Sequence, residues 1–367
     1  HNYSEICYPE YDPVSLFPVS PKNWGYSLVG PLLVSFSHWL YEQARADGID
    51  CLHFLSREGK FMKAVYDAWV EGLPDAPRSQ YAVLSRRSSS MAALSSFEDI
   101  LDIARTTYFP NTFGKLLQTR YGISPSQEKW QALQDAFGYS ADTLIEIQNK
   151  NIGKLGDVLQ SLEPEITRQS QVEREAMLSY LQSAGFAGES KPAVVDIGYG
   201  GTVQGHLNKI LSKPVHGYYL MTEDRASVVA KRYGVKLRGC FGDLIDPKVS
   251  APLLFLRSFD LEKLLSSNDP QIEYYEMEAG KAVGHYRPLV DEELAPSEIR
   301  DQILAGALQY TADLREIRQN LLPDFRPSSF VASSLMDAFL TNQSAAENTL
   351  LSSIILDDYY CGRDLVA

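Results

Sequence analysis

The stretch from Pro192 to Leu211 restricts the possible folds of this chain more than any other. It runs Pro-Ala-Val-Val-Asp-Ile-Gly-Tyr-Gly-Gly-Thr and continues into a periodic apolar segment. A short apolar strand that ends at Asp196 and turns at once into the helix Val203 to Leu211 is half of a strand–helix–strand unit. Such units build a largely parallel sheet whose two faces are both covered by helices. Other parts of the chain repeat the pattern. A buried helix from Leu28 to Ala46 stops at Asp47-Gly48, and the strand Cys51 to Leu55 follows. The polar turn Ser56-Arg57-Glu58-Gly59 then opens an amphipathic helix, Lys60 to Val70, with Phe61, Val65 and Trp69 on one face. A second strand, Gln80 to Leu84, ends in the basic turn Ser85-Arg86-Arg87-Ser88, and a fourth spans Val215 to Met221. The expected class is therefore α/β: a mostly parallel sheet flanked by helices, with a helical insert and a helical C-terminal layer.

The α/β core is expected in residues 24–96 and 186–250, behind a lead-in at 1–23 whose first dozen residues read as the stub of an upstream domain. Residues 97–185 read as helical throughout, broken at Pro110, Gly122 and Gly153–Gly156, with a last helix from about Pro164 to Ala184. Residues 251–367 read as a mainly helical layer on the core. Within it, helices are expected at Pro252–Ser266, Glu292–Leu322 and Ser328–Tyr360, and a hairpin turning at Gly280 between Gln271 and Tyr286.

Charge narrows the range of partners. Among 367 residues, 34 Lys and Arg face 47 Asp and Glu, a formal net charge of −13. Such a surface repels nucleic acid and anionic membranes, but a local basic pocket can still hold a small anion. Cys7, Cys51, Cys240 and Cys361 have no metal-ligand spacing, so neither a structural zinc nor a disulfide framework is expected. The longest apolar stretch, Leu28 to Tyr41, contains Pro31, Ser35, Ser37 and His38 and falls short of the roughly 20 residues of a membrane span. No signal peptide is visible, so the sequons at Asn2 and Asn342 carry no consequence and a reducing, cytoplasmic location is expected.

The chemistry is concentrated where strands end. In a parallel sheet the turns after Leu55, Leu84 and Asp196 all lie at the carboxyl edge, where open α/β sheets bind ligands. Gly198, Gly200 and Gly201 permit positive φ and close approach of backbone N–H groups, with Tyr199 between them. Thr202 stands at the expected helix N-cap, which makes the turn a natural phosphate seat. Asp196 is placed to accept hydrogen bonds from ribose hydroxyls. Val203 replaces the third glycine of the dinucleotide fingerprint, so that motif is absent. Arg57, Arg86 and Arg87 offer bidentate phosphate contacts; the alternative for each is a surface ion pair. Glu58 orients Arg57, ligates a metal or acts as a base, and Gln204 bonds the ligand or faces solvent. Glu262 is a candidate acid from the C-terminal region, and His206 a weaker ligand candidate. His38 and His53 read as satisfied core residues.

Taken together, Phe54-Leu55-Ser56-Arg57-Glu58-Gly59, Leu84-Ser85-Arg86-Arg87 and Val195 to Gln204 resemble the glycan phosphoribosyltransferase domain of bacterial ribofuranosyltransferases. The likeness covers about Trp24 to Leu220 and includes Gly30-Pro31-Leu32. It implies a cytoplasmic glycosyltransferase of polysaccharide or O-antigen biosynthesis. Its donor is phosphoribosyl diphosphate, its acceptor a growing surface glycan, and Mg2+ accompanies the diphosphate. It also implies a haloacid-dehalogenase-type phosphatase, separate or fused, acting beside other glycosyltransferases; the DxDxT motif of that phosphatase is absent here. Under this resemblance Gly198–Thr202 binds the 5-phosphate, and Arg57 and Arg86 face the leaving pyrophosphate. Glu58 or Glu262 supplies the base. Ile197 stands where ordinary phosphoribosyltransferase donor loops have a second acid.

Two other readings compete. Val194 to Gly200 also resembles the first motif of S-adenosylmethionine-dependent methyltransferases, with Glu223 or Asp224 for the ribose. That motif normally opens its domain, and the arginine turns have no role in it. The third reading is a non-catalytic sugar-phosphate-binding module of a polysaccharide synthase.

Overall fold

A computed structural model describes residues 16–188 and 191–366, so most of the expected lead-in, with Cys7 and Asn2, lies outside the described residues. Helix α1 (Gly30–Asp47) leads into β1 (Cys51–Leu55), α2 (Gly59–Val70), β2 (Arg78–Ala82) and α3 (Arg86–Ala92). The insert carries the strands β3 (Tyr108–Thr112) and β4 (Leu144–Ile147), and returns along the long helix α4 (Leu155–Ser183). Strand and helix then alternate through β5 (Pro192–Asp196), α5 (Thr202–Leu211), β6 (His216–Tyr219), α6 (Ala226–Tyr233) and β7 (Leu237–Gly239). The C-terminal part contains α7 (Ser258–Leu265), the hairpin β8 (Ile272–Glu278) and β9 (Lys281–Tyr286), α8 (Ser297–Asn320) and α9 (Ser329–Thr341). It closes with a small hairpin, β10 (Leu356–Asp358) and β11 (Arg363–Val366).

The central sheet has the order β2-β1-β5-β6-β7, and every neighbouring pair is parallel. This is the expected mostly parallel sheet flanked by helices. All five residues of β1 are buried, because both faces of the sheet are covered. One face packs α1, α2, α8 and α9, through residues such as Leu33, Phe61, Ile303 and Phe339. The other packs α5, the C-terminal half of α4 and the β8–β9 hairpin, through Leu207, Met177, Leu181 and Tyr275. α1 stops where expected. Gly48 adopts φ +66° and its N–H turns back to the carbonyls of Ala44 and Arg45.

The insert differs from the all-helical expectation. β3 and β4 pair as an antiparallel hairpin, and Ile145 and Ile147 alternate inward with period two. A separate apolar cluster fills the insert, from Ile100 and Phe113 to Leu162 and Ile166. α4 begins nine residues before Pro164 rather than at it. Pro164 is exposed, so the carbonyl it leaves unbonded faces water. The 29 residues of α4 span about 43 Å, its first half in the insert core and its second against the sheet.

Three other boundaries move. β2 starts at Arg78 and ends at Ala82, two residues earlier than expected. The single helix expected at Ser328–Tyr360 is two, α9 and a short one from Ala345 to Ser352, and the chain then extends into β10. β7 had no counterpart in the sequence reading. No helix among the described residues is long and apolar enough to cross a membrane.

Candidate functional site

Strand order creates the site. From β1 the chain crosses outward to β2, whereas from β5 it crosses the other way to β6. The turns leaving these adjacent strands therefore diverge and leave a crevice at their carboxyl ends. A cleft of about 270 Å³ opens there, lined by Ser56–Glu58, Ser85, Arg86 and the whole turn from Asp196 to Val203. The three strand-end turns singled out in the sequence do converge. The Ser56–Arg57 and Gly198–Tyr199 peptide bonds, both on the cleft wall, are cis.

The glycine turn ends at the N-terminus of α5, with one correction to its details. Gly201, not Thr202, is the N-cap of α5 and takes φ +70°, the left-handed conformation that favours glycine. Thr202 is the first helical residue, exposed to the cleft, and its side chain caps nothing. Gly198 and Gly200 lack positive φ. Gly198 is needed for space, since a Cβ there would sit 2.8 Å from the Met221 carbonyl oxygen. The first N–H groups of the ten-residue α5 have no intrahelical acceptor and point toward the cleft end of the helix.

The cationic residues divide into two kinds. Arg57 and Arg86 line the cleft. Arg57 Nη1 donates to Asp357 Oδ2 at 2.7 Å, and that oxygen also accepts from Arg287 Nη2 at 3.0 Å. Arg86, exposed on the first turn of α3, makes no ion pair among the described residues and lies 5.4 Å from the Tyr360 ring centroid. Arg87 corrects the expectation. One residue further around α3, it points away, is buried, and donates to Glu173 of α4 at 2.8 Å. Gln204 is likewise structural. It is fully buried, its amide donates to the Val215 carbonyl at 2.6 Å, and its Oε1 accepts from Tyr219 Oη at 2.8 Å.

Glu58, Asp196 and Glu262 share the cleft with these arginines. Burial, then the nearby Glu58 charge, pushes the Asp196 carboxyl well above the usual range, while the Ile197 N–H bonded to Oδ1 at 2.8 Å opposes the shift. Burial and Glu58 also push Glu262 up to about 7. Tyr199 Oη donates to Glu262 Oε1 at 3.3 Å, and burial followed by that carboxylate pushes the phenol far up. Asp357 and Asp358 add two more acids. The donors are all hard oxygens, a set that suits Mg2+ held by one or two carboxylates together with ligand phosphate.

The histidines depart from expectation in part. His206 lines an adjoining cavity of about 240 Å³ that shares Arg86, Thr202 and Tyr360 with the cleft. Its Nδ1 lies 2.9 Å from Ser89 Oγ, and burial lowers its pKa to about 4. His38 is buried in the core with Nε2 3.2 Å from Arg326, but its Nδ1 has no hydrogen-bond partner among the described residues, so it is only half satisfied. His53 is buried but not satisfied: neither ring nitrogen has a hydrogen-bond partner among the described residues, and the ring stacks on Phe186 at 3.8 Å. Glu223 and Asp224 do not line the cleft, and Glu223 is paired with Arg225.

Sequence reasoning missed Asp357, Asp358 and Tyr360, which the last hairpin brings to the cleft lining. Their one signal is the Asp-Asp-Tyr-Tyr run before Gly362, at the end of the segment expected to be helical. Gly362 takes φ +85°, and Arg120 anchors this segment. The Arg120 guanidinium is fully buried and donates to the carbonyls of Ile103, Ala104, Thr106, Thr107 and Tyr360. No protein-family model and no curated protein matches the chain.

Proposed function

We propose that the cleft binds phosphoribosyl diphosphate and transfers 5-phosphoribose to a hydroxyl of a bacterial surface glycan, releasing pyrophosphate. The observation that carries this reading is the meeting, at one strand-order switch point, of a helix N-terminus, two arginines and a carboxylate held near pH 7. The N–H groups from Gly201 onward take the 5-phosphate, where dipole and free donors coincide. Asp196 accepts from the ribose hydroxyls. Arg57 and Arg86 face the diphosphate, where negative charge develops as the bond to the anomeric carbon breaks.

The acceptor oxygen attacks that carbon, the leaving pyrophosphate takes the bonding electron pair, and the acceptor proton passes to a carboxylate. Glu262 suits that role, since a base is most effective with a pKa close to the working pH. Tyr199 fixes its orientation. Asp196 and Glu262 are raised because they lie close to Glu58, and a cation bound with the diphosphate would relieve that repulsion. Glu58 and Asp196 would hold Mg2+, which neutralises the diphosphate when bound.

Calorimetric titration with phosphoribosyl diphosphate and Mg2+, and separately with S-adenosylmethionine, tests this. Binding of the phosphoribosyl donor, weakened tenfold or more in Arg57→Ala and in Asp196→Asn, is expected. Binding of S-adenosylmethionine alone would replace the proposal with the methyltransferase reading. Donor binding without pyrophosphate release on any glycan acceptor would favour the non-catalytic module.

A further inference from the structure

The β8–β9 hairpin packs against α4, remote in sequence from the strand-end turns. Glu276 and Glu278 lie two residues apart on β8, so both side chains leave the same face of the ribbon. His285 of β9 is opposite Tyr274, one diagonal step from Glu276. Its ring stacks on Tyr274 with centroids 4.6 Å apart and planes 6° from parallel, which holds the imidazole in one orientation. His285 Nε2 lies 3.3 Å from Glu276 Oε2 and 3.4 Å from Glu278 Oε1.

These separations are informative. A charge-assisted imidazole–carboxylate hydrogen bond closes to about 2.7–2.9 Å. Here Nε2 is buried from solvent, faces two carboxylates and makes no hydrogen bond among the described residues. Three ligand atoms around a tetrahedral ion with arms of ~2.0–2.2 Å lie about 3.4 Å apart. The nitrogen-to-oxygen spacings match that edge, and all three ligand atoms lie within 4.8 Å of one another.

We propose that Glu276, Glu278 and His285 form a surface site for a first-row transition metal, with Zn2+ as the expected occupant. An imidazole nitrogen in the ligand set favours Zn2+, Co2+ or Ni2+ over Mg2+ and Ca2+. The bound ion cross-links the two strands of the hairpin and so stiffens the wall that covers α4. This site is independent of the proposed transfer reaction.

The test is zinc titration of untagged protein against a chromophoric chelator, with excess Mg2+ present to occupy the acidic cleft. One zinc per chain is expected, with affinity lowered tenfold or more in His285→Ala and in Glu276→Gln and unchanged in Asp196→Asn. Co2+ added instead should give the intense visible absorption of a four-coordinate ion, lost in the same variants. Equal zinc affinity in wild type and both hairpin variants, or only the weak spectrum of six-coordinate Co2+, would overturn the site. Circular dichroism of each variant separates loss of the site from loss of the fold, and Glu278→Gln provides a third disruption.

Discussion

Glu262 and His53 are ionisable residues that the fold holds away from their ordinary titration, in opposite directions. Burial and Glu58 raise Glu262 to about 7 from an ordinary 4.5. The folded state keeps a proton that the unfolded chain loses, so stability falls as pH rises from 4.5 through 7. Glu262→Gln is therefore expected to be more stable than wild type at pH 8 by on the order of 2 kcal/mol, with no gain at pH 4. Under the proposed reaction it loses most turnover while still binding donor. Urea unfolding at the two pH values checks the first half, and identical midpoints at pH 8 would show that Glu262 ionises freely. Burial, then Arg78, lowers His53 to about 4. Its neutral form is the folded one, so stability drains away as pH falls from 6.5 toward 4. His53→Leu should remove that acid sensitivity, worth about 3 kcal/mol, and lose nothing at pH 7 because two orphaned ring nitrogens go with it. Comparison of unfolding midpoints at pH 7 and pH 4.5 reads the effect. The sequence offered Glu262 as a candidate acid and His53 as a satisfied core residue; their environments come from chain segments far away.

Within elements, neighbouring residues part company. Arg86 and Arg87 share one basic turn, yet about 100° of helical rotation sends the first to the cleft and the second into the interface between α3 and α4. Arg87→Met leaves Glu173 buried without its partner and is expected to lower stability by about 3–5 kcal/mol while donor affinity stays within twofold. Arg86→Ala should do the opposite, weakening donor binding with a stability change below about 0.5 kcal/mol. Thermal unfolding paired with calorimetry separates the two. The strands β1 and β5 and the hairpin at Gly280 were legible because apolar content and turn residues agree there. β3 and β4 were not, since their few residues sit among helix formers and gain their pairing from the insert core. Pro164 misled for a related reason. On an exposed face of a long helix, its missing N–H costs less than breaking the packing on either side.

At the scale of the whole molecule the last hairpin closes the site. Asp357 meets Arg57 across 300 residues of chain and ties it to Arg287, which Glu293 also holds. Asp357→Asn is expected to lower stability by about 3 kcal/mol, because half-buried Arg57 loses its ion pair and buried Arg287 keeps only Glu293. Added pyrophosphate should recover more of that loss in the variant than it adds to wild type, by supplying the missing negative charge. A melting-temperature gain no larger than that of wild type would remove Arg57 from the anion-binding group. Local order was readable from residue order alone: the parallel α/β class, the helix stop at Gly48, and three polar turns bound to fall on one edge of the sheet. These follow from periodicity, backbone freedom and the geometry of strand–helix–strand crossovers, all properties of short segments. Which arginine faces the cleft, whether Gln204 and His53 are solvated, and the arrival of Asp357, Asp358 and Tyr360 at the site depend on contacts between distant segments. Folding settles those by burying charge only where a partner waits, and no short stretch of sequence specifies where that partner will be.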